Sequence, residues 1–194
     1  MASNEGKTLL SLLCGDKWLW DPGHSYSLRF HENGTGEIVA CDALVMFILA
    51  EFDWKPVDTT ASLTQPLELG DSKTFQFSIS LTLTKRKIPQ IGGVSTQRYS
   101  VNETVLEEGA FQPKEYTLRL EQGMFKPTDP SNPFYEWHRL RMVFSPSPYP
   151  PLEQWKRKQP AGVLRFWEKD TFYSQRIPEE EVTRRDDSAM EGNS

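Results

Sequence analysis

Short runs in which apolar and polar residues alternate dominate the chain. The clearest run is KTFQFSISLTLTK at 73–85. Its apolar positions are Phe75, Phe77, Ile79, Leu81 and Leu83. A period of two places successive side chains on opposite faces of a strand. Further strands are predicted at 114–123, at 134–145 and within 162–174. Because turn residues separate these runs and none has the period of a long amphipathic helix, the pattern predicts an all-β sandwich or barrel.

The segment LRFHENGTGEIVA at 28–40 predicts a β-hairpin. A two-residue loop would place the apolar Phe30 opposite the charged Glu37. Since apolar side chains of paired strands share the buried face, the sequence favours a three-residue loop at 33–35. The predicted pairs are Phe30 with Ile38, Leu28 with Ala40 and, on the outer face, His31 with Glu37.

A second run, ALVMFILAEFDW at 43–54, is apolar on both faces. Its continuous apolar row is Leu44, Met46, Ile48, Phe52 and Trp54. It predicts a strand that is also covered on its outer side, with a helix over the same residues as the alternative. We expect a short N-terminal helix in KTLLSLL at 7–13 to provide this cover. The apolar side of that helix is Leu9, Leu10, Leu12 and Leu13.

The two ends of the chain offer little that a core could bury. Residues 1–6 are small and polar, and the sequence from Pro178 onward is charged. We therefore expect a flexible N-terminus at 1–6, one β-barrel domain at 7–177 and a disordered tail at 178–194.

Charge and composition indicate which classes of binding partner and which cellular location to expect. The 194-residue chain has a net charge of -5 at pH 7, which argues against sequence-independent nucleic-acid binding. No apolar run approaches the roughly 20 residues that span a bilayer, and the N-terminus lacks a secretory signal, so we expect no membrane association and a cytoplasmic location. Cys14 and Cys41 are expected to be free thiols, with a Cys14–Cys41 disulfide as the alternative.

One candidate acid–base pair lies in the strand at 134–145. Its apolar set is Leu140, Met142 and Phe144. The same alternation places His138 and Glu136 on the inward face, roughly 7 Å apart, where an imidazole and a carboxyl could transfer protons. The alternative is a hydrogen-bonded interior histidine with a solvated carboxylate at the rim. The sequence contains no nucleophile-elbow, phosphate-loop, zinc or dinucleotide motif, so no metal and no cofactor are predicted.

Large rings form the second candidate site. The rings that could line one ligand cavity are Trp20, Trp54, Phe75, Phe77, Tyr116 and Phe144. The alternative is that they fill the core, because small barrels are filled by their own side chains.

Three motifs, GDKWLW, LRFHENGTGEI and AEFDW, together resemble the opening of lipocalin-like β-barrels of the calycin type. The residues that carry the resemblance are Gly15, Trp18, Phe30, Gly34, Gly36, Phe52 and Trp54. It implies an antiparallel up-and-down barrel that can hold one small apolar ligand. It also implies that Arg165, in VLRFW, corresponds to the late-strand arginine that closes the barrel base against Trp18. The chain is similar, in addition, to uncharacterised single-domain proteins of filamentous fungi.

These observations support two main functions. The first is binding of a small hydrophobic molecule in the barrel cavity. The alternative is a cofactor-independent isomerase, cyclase or dehydratase that acts on a small natural-product intermediate by acid–base catalysis. A protein-interaction role for the proline-rich segment SPSPYPP is a third hypothesis, against which a rigid connector between strands is the simpler interpretation.

Overall fold

The computed structural model describes residues 7–42, 45–57, 61–67, 73–127 and 136–181. The strands are β1 Trp18–Leu19, β2 Tyr26–Phe30, β3 Thr35–Asp42, β4 Val45–Pro56, β5 Lys73–Lys87, β6 Gln90–Ile91, β7 Val94–Ser95, β8 Lys114–Phe125, β9 His138–Ser145 and β10 Thr171–Arg176. The α-helices are α1 Leu9–Gly15, α2 Ala61–Thr64 and α3 Lys158–Leu164. Single 3₁₀ turns occur at Asn102–Thr104, Glu108–Phe111, Leu152–Gln154 and Phe166–Glu168.

Eight of these strands close into one antiparallel barrel, in the order β1-β10-β9-β8-β5-β4-β3-β2, and β6 and β7 form a separate hairpin. The predicted all-β, up-and-down antiparallel barrel with a short N-terminal helix is therefore confirmed. Its two ends are named here by what they carry. The hairpin end carries the β2–β3 turn at 31–34, and the connector end carries the β9–β10 connection at 146–170.

The short helix α1 begins at a complete capping box. The hydroxyl of Thr8 accepts a hydrogen bond from the Ser11 N–H at 3.1 Å, and the hydroxyl of Ser11 accepts one from the Thr8 N–H at 2.9 Å. These bonds satisfy N–H groups that a helix start otherwise leaves free. Leu12 and Leu13 then pack into the main core, and the Leu13 carbonyl accepts a hydrogen bond from the buried Trp18 indole at 2.8 Å.

The β2–β3 register differs by two residues from the predicted one. Phe30 lies opposite Gly36 and Leu28 lies opposite Ile38, so the predicted pairs of Phe30 with Ile38 and Leu28 with Ala40 are wrong although the face is right. The cause is steric. A Cβ at Gly36 would lie 2.2 Å from the Phe52 ring and 2.5 Å from the Arg29 carbonyl, so only glycine can occupy this position.

The same shift moves the outer-face pair. Arg29, and not His31, lies opposite Glu37. His31 reaches the Glu37 carboxylate diagonally, at 4.0 Å. Gly34 takes the positive φ of the turn, at 82°.

A β-bulge changes the predicted apolar row of β4. Ala40 of β3 lies opposite Ile48, but the next residue, Cys41, lies opposite Met46. Phe47 is therefore the extra residue of β4 at this point. Phe47 therefore packs against the main core, and Met46 packs against a separate cluster on the outer wall. The prediction that Met46 belongs to the inward row is wrong, while Ile48, Phe52 and Trp54 are buried as predicted. Leu44 lies outside the described residues.

The outer cover of β4 comes from a different segment than predicted. The outer cluster consists of Val39, Leu49, Ile88 and Val101, with Cys41, Met46, Ile91 and Tyr99 packed around it. The chain between β5 and β8 supplies this cover, because Ile88 and Val101 belong to it. The predicted cover by α1 is therefore wrong for these residues, since Leu9, Leu12 and Leu13 join the main core instead.

The predicted late strand within 162–174 forms only in its second half. Residues up to Leu164 belong to α3, Phe166–Glu168 is a 3₁₀ turn, and β10 begins at Thr171. Arg165 has a left-handed backbone with φ 47° and pairs with Glu168. Its side chain is 62% exposed, so the expected packing of Arg165 against the fully buried Trp18 is wrong.

Aromatic residues of the β9–β10 connection close the connector end. Tyr149 is buried and donates a hydrogen bond from its hydroxyl to the Val39 carbonyl at 2.7 Å. Phe166 stacks on Trp155 with 4.4 Å between ring centroids, and lies 5.2 Å from Phe47. The proline-rich SPSPYPP is thus part of a packed connection between two strands.

Several sequence predictions fall outside the described residues. These are the flexible N-terminus at 1–6, most of the turn-rich loop at 126–133 and the tail from residue 182. The first tail residues, 178–181, are described, and Glu181 pairs with Arg139. Among the described helices, none has the length and apolar character needed to cross a membrane.

Candidate functional site

A small cleft brings together three of the eight predicted site residues: Trp20, Glu136 and His138. Its volume is about 30 Å³, which corresponds to one or two water-sized groups. The full lining is Leu19, Trp20, Asp21, Pro22, His24, Pro127, Glu136 and His138. The cleft thus lies between the segment that follows β1 and the segments around the start of β9, and it fits the polar end of a molecule.

His138 is the most buried titratable group in this cleft, with 7% of its surface exposed. Its ring lies 5.8 Å from the Tyr173 ring, and Nδ1 is buried with no hydrogen-bond partner among the described residues. Burial lowers the pKa of His138 and outweighs the backbone and carboxylate of Glu136, which raise it. The imidazole is therefore uncharged near neutral pH.

Glu136 is half-exposed, and its carboxylate is already engaged by a cation. Arg176 Nη2 lies 2.7 Å from Glu136 Oε1. Arg176 is also directly opposite His138 in the β9–β10 ladder. The structure therefore adds an arginine to the predicted pair, and sequence reasoning missed it because Arg176 is far from Glu136 along the chain.

The other side of the cleft is held by a turn. Asp21 accepts hydrogen bonds from the Tyr26 N–H at 2.9 Å and the Ser25 N–H at 3.2 Å. His24 has a left-handed backbone with φ 58°, which is uncommon outside glycine and asparagine. Asp21 thus fixes the turn that brings the His24 side chain to the cleft.

Three of the predicted ligand-binding rings are packed into the barrel core. Trp54, Tyr116 and Phe144 are 7%, 4% and 1% exposed. Phe144 contacts Tyr116 at 5.9 Å and Phe30 at 6.5 Å between ring centroids. Phe30 in turn contacts Trp54 at 5.4 Å, so the three rings belong to one packed core, as the core-packing alternative predicts.

Phe75 and Phe77 differ from those three rings. They lie opposite Leu120 and Leu118, whose side chains are fully buried, so both phenylalanines face the barrel interior. They are nevertheless only partly buried. An apolar surface inside the barrel is therefore accessible near the start of β5, at the hairpin end.

Gln122 lies beside these rings and was missed by sequence reasoning. It follows Tyr116, Leu118 and Leu120 in the inward row of β8 and pairs with Leu140 of β9. Its Oε1 is buried without a hydrogen-bond partner among the described residues. The signal was present in the sequence, because an amide ends an otherwise apolar row of period two.

The described residues contain no group of three or more His, Cys, Asp or Glu side chains arranged to hold a metal ion. The chain was compared with protein-family models, with curated proteins and with solved structures, and none of the three comparisons found a match.

Proposed function

We propose that this chain binds a small, largely apolar molecule that carries one neutral hydrogen-bond donor. The observation that supports this best is at the hairpin end of the barrel, where Phe75 and Phe77 stay accessible next to Gln122 Oε1, which has no hydrogen-bond partner among the described residues. A buried carbonyl oxygen without a partner costs about 1–3 kcal/mol. A ligand that donates a hydrogen bond to it and covers the two rings would remove that cost.

The resemblance to lipocalin-like barrels agrees with this proposal. The ring order is up-and-down, which is the architecture that holds one small ligand in that family. A cation also lies on a tryptophan near the last strand, although the residues differ from the expected ones. Lys169 Nζ is 4.2 Å from the Trp20 ring centroid and 4.5 Å from that of Tyr26, where Arg165 and Trp18 were expected.

Isothermal titration with two matched probes tests the proposal. We expect 2-naphthol, which has a hydroxyl donor, to bind about five- to tenfold more tightly than 2-methoxynaphthalene, because one hydrogen bond contributes about 1 kcal/mol. Gln122→Met keeps the length of the side chain and should abolish that difference. Phe77→Leu should weaken both probes, whereas Phe111→Leu, at the connector end, is the control that should change neither. Absence of saturable binding by either probe would refute the proposal.

Acid–base catalysis is the second candidate function, and it is favoured by the placement of Glu136 beside His138 in one cleft. An uncharged imidazole can accept a proton from a substrate carbon or hydroxyl and return it to another position, as an isomerase requires. The Glu136 carboxylate is already occupied by the ion pair with Arg176, so this candidate stands behind ligand binding.

A single variant separates the two functions. Compounds that bind are incubated with the protein, and products are followed by mass spectrometry and NMR. On the catalytic hypothesis, Glu136→Gln lowers turnover roughly a hundredfold with the fold intact. On the binding hypothesis no product forms, and the same variant changes affinity by about 1 kcal/mol at most.

A further inference from the structure

We propose that Arg176 is the positioning residue of the His138 cleft, holding the Glu136 carboxylate away from the imidazole so that the cleft presents an uncharged ring to a neutral polar group. This inference concerns the cleft on which the second candidate function rests. The arrangement itself is independent of whether a ligand is turned over.

The geometry that supports this is a triangle of three side chains. Arg176 is the cross-strand partner of His138, and its guanidinium contacts the carboxylate of Glu136 at 2.7 Å. Glu136 and His138 both line the cleft, and Arg176 does not. The arginine therefore acts on the cleft from outside its lining, through the ion pair with Glu136 and through its own charge opposite His138.

The backbone around Arg176 is fixed on both sides. Gln175 has a left-handed backbone with φ 58° directly before it. After it, the Ile177 N–H donates to the Trp137 carbonyl at 2.7 Å, and the Ile177 side chain is 4% exposed. The backbone of Arg176 is thus held in place by the fold, and from there its side chain, which is 63% exposed, reaches the Glu136 carboxylate at the surface.

The charges around His138 agree with this role. The groups beside the ring are Glu136, Arg176 and Tyr173. Asp21 and His24 are the other titratable residues that line the cleft. The charge of Glu136 raises the pKa of His138 and the charge of Arg176 lowers it, while burial acts in the same direction as Arg176. Without the arginine, an unopposed carboxylate would favour the imidazolium.

Titration of His138 by NMR in the full chain tests the inference. The chain has three histidines, so His138→Gln assigns the signal by its loss. We expect Arg176→Gln to raise the pKa of His138, because it removes a positive charge that lowers this pKa and frees the carboxylate of Glu136, which raises it. Arg139→Gln is the matched control, since Arg139, like Arg176, pairs with a glutamate, in this case Glu181. It should leave the titration of His138 unchanged.

Arg176→Lys keeps the positive charge, so the pKa of His138 in this variant should equal that in the unmodified chain. This second variant keeps the inference testable if Arg176→Gln does not fold. An unchanged pKa in a folded Arg176→Gln variant would overturn the inference, as would an equal shift in Arg139→Gln. A shift confined to Arg176→Gln, without turnover of any bound compound, would refute the catalytic candidate and leave this inference standing.

Discussion

The side-chain amide of Asn102 completes the hydrogen bonding of the Leu49 backbone. The Leu49 N–H donates to Asn102 Oδ1 at 2.9 Å, and Asn102 Nδ2 donates to the Leu49 carbonyl at 3.1 Å. The β4–β5 pairing shifts in this region, between Ala50 and Phe52. Asn102 therefore takes the place of a neighbouring strand, and it does so with a left-handed backbone at φ 55° and no exposed surface.

We expect Asn102→Gly to lower the free energy of unfolding by about 1–3 kcal/mol, because it leaves the buried Leu49 N–H without its acceptor. The Leu49 carbonyl keeps the hydrogen bond that it accepts from the Ile88 N–H at 3.1 Å. Glycine tolerates the positive φ, so this variant isolates the hydrogen bonds. Asn102→Ala should cost about 1 kcal/mol more, since alanine also strains the left-handed backbone. Urea denaturation measures both. Stability of Asn102→Gly equal to that of the unmodified chain would show that these bonds contribute nothing.

Two glycine substitutions should change stability in opposite directions. Gly36→Ala places a Cβ 2.2 Å from the Phe52 ring and 2.5 Å from the Arg29 carbonyl, and should destabilise the chain by about 3 kcal/mol. Gly162→Ala, within α3, meets no atom within 4 Å and should stabilise it by about 0.5–1 kcal/mol. The two melting temperatures give the comparison, and an unaffected Gly36→Ala would contradict the described hairpin register.

The pH dependence of stability should show the burial of His138. Burial lowers its pKa in the folded chain, whereas in the unfolded chain the pKa is about 6.5. Between these two values the unfolded state binds more protons, so the contribution is complete above roughly pH 6.5 and is lost as the pH falls below it. In urea denaturation from pH 8 to pH 5, the unmodified chain should therefore lose stability more steeply than His138→Gln. Parallel curves would show that His138 does not titrate differently on folding.

The two cysteines should be unpaired and slow to react. Both thiols are free and partly buried, and burial, with a smaller contribution from the charge of Glu32, raises the pKa of Cys14 to about 12. The thiolate is the reactive form, so iodoacetamide at pH 8 should label Cys14 slowly in the folded chain and rapidly in urea. Mass spectrometry without reductant should show no Cys14–Cys41 bridge. Rapid labelling of Cys14 in the folded chain would contradict its described environment.

The barrel strands with regular alternation could be predicted from the sequence. In β5 the apolar set Ile79, Leu81 and Leu83 is buried as predicted, because nothing interrupts its period of two. The hairpin register failed for a reason that alternation cannot detect. A shift of two residues preserves every face, and the choice depends on the Phe52 ring, which comes from the next strand and requires Gly36.

Prediction failed elsewhere where distant segments decide the local structure. The bulge that turns Met46 outward is paired with Cys41 of β3, and the cover of Leu49 comes from Val101 and Asn102. At the candidate site, Trp20 from the predicted ring set and the predicted pair Glu136 and His138 line one cleft. Arg176 was not found, because the sequence does not give the β9–β10 register that places it opposite His138.

The strand β1 closes the ring with two residues. On one side it pairs with β10, at Leu19 opposite Tyr173. On the other side it pairs with β2, at Trp18 opposite Leu28 and at Leu19 opposite Ser27. By contrast, β5 and β8 pair continuously from Lys73 opposite Gln122 to Leu81 opposite Lys114. Because β1 pairs with β10 and β2 through so few residues, the hydrogen bonds there have few neighbouring hydrogen bonds to support them. We therefore expect the barrel to open locally at β1 before it opens elsewhere. Amide protons of Leu19 and Tyr173 should then exchange with deuterium through a local opening, long before those of Leu118 and Leu120. Since Leu19 also borders the cleft with His138, each such opening would expose the cleft without unfolding the barrel.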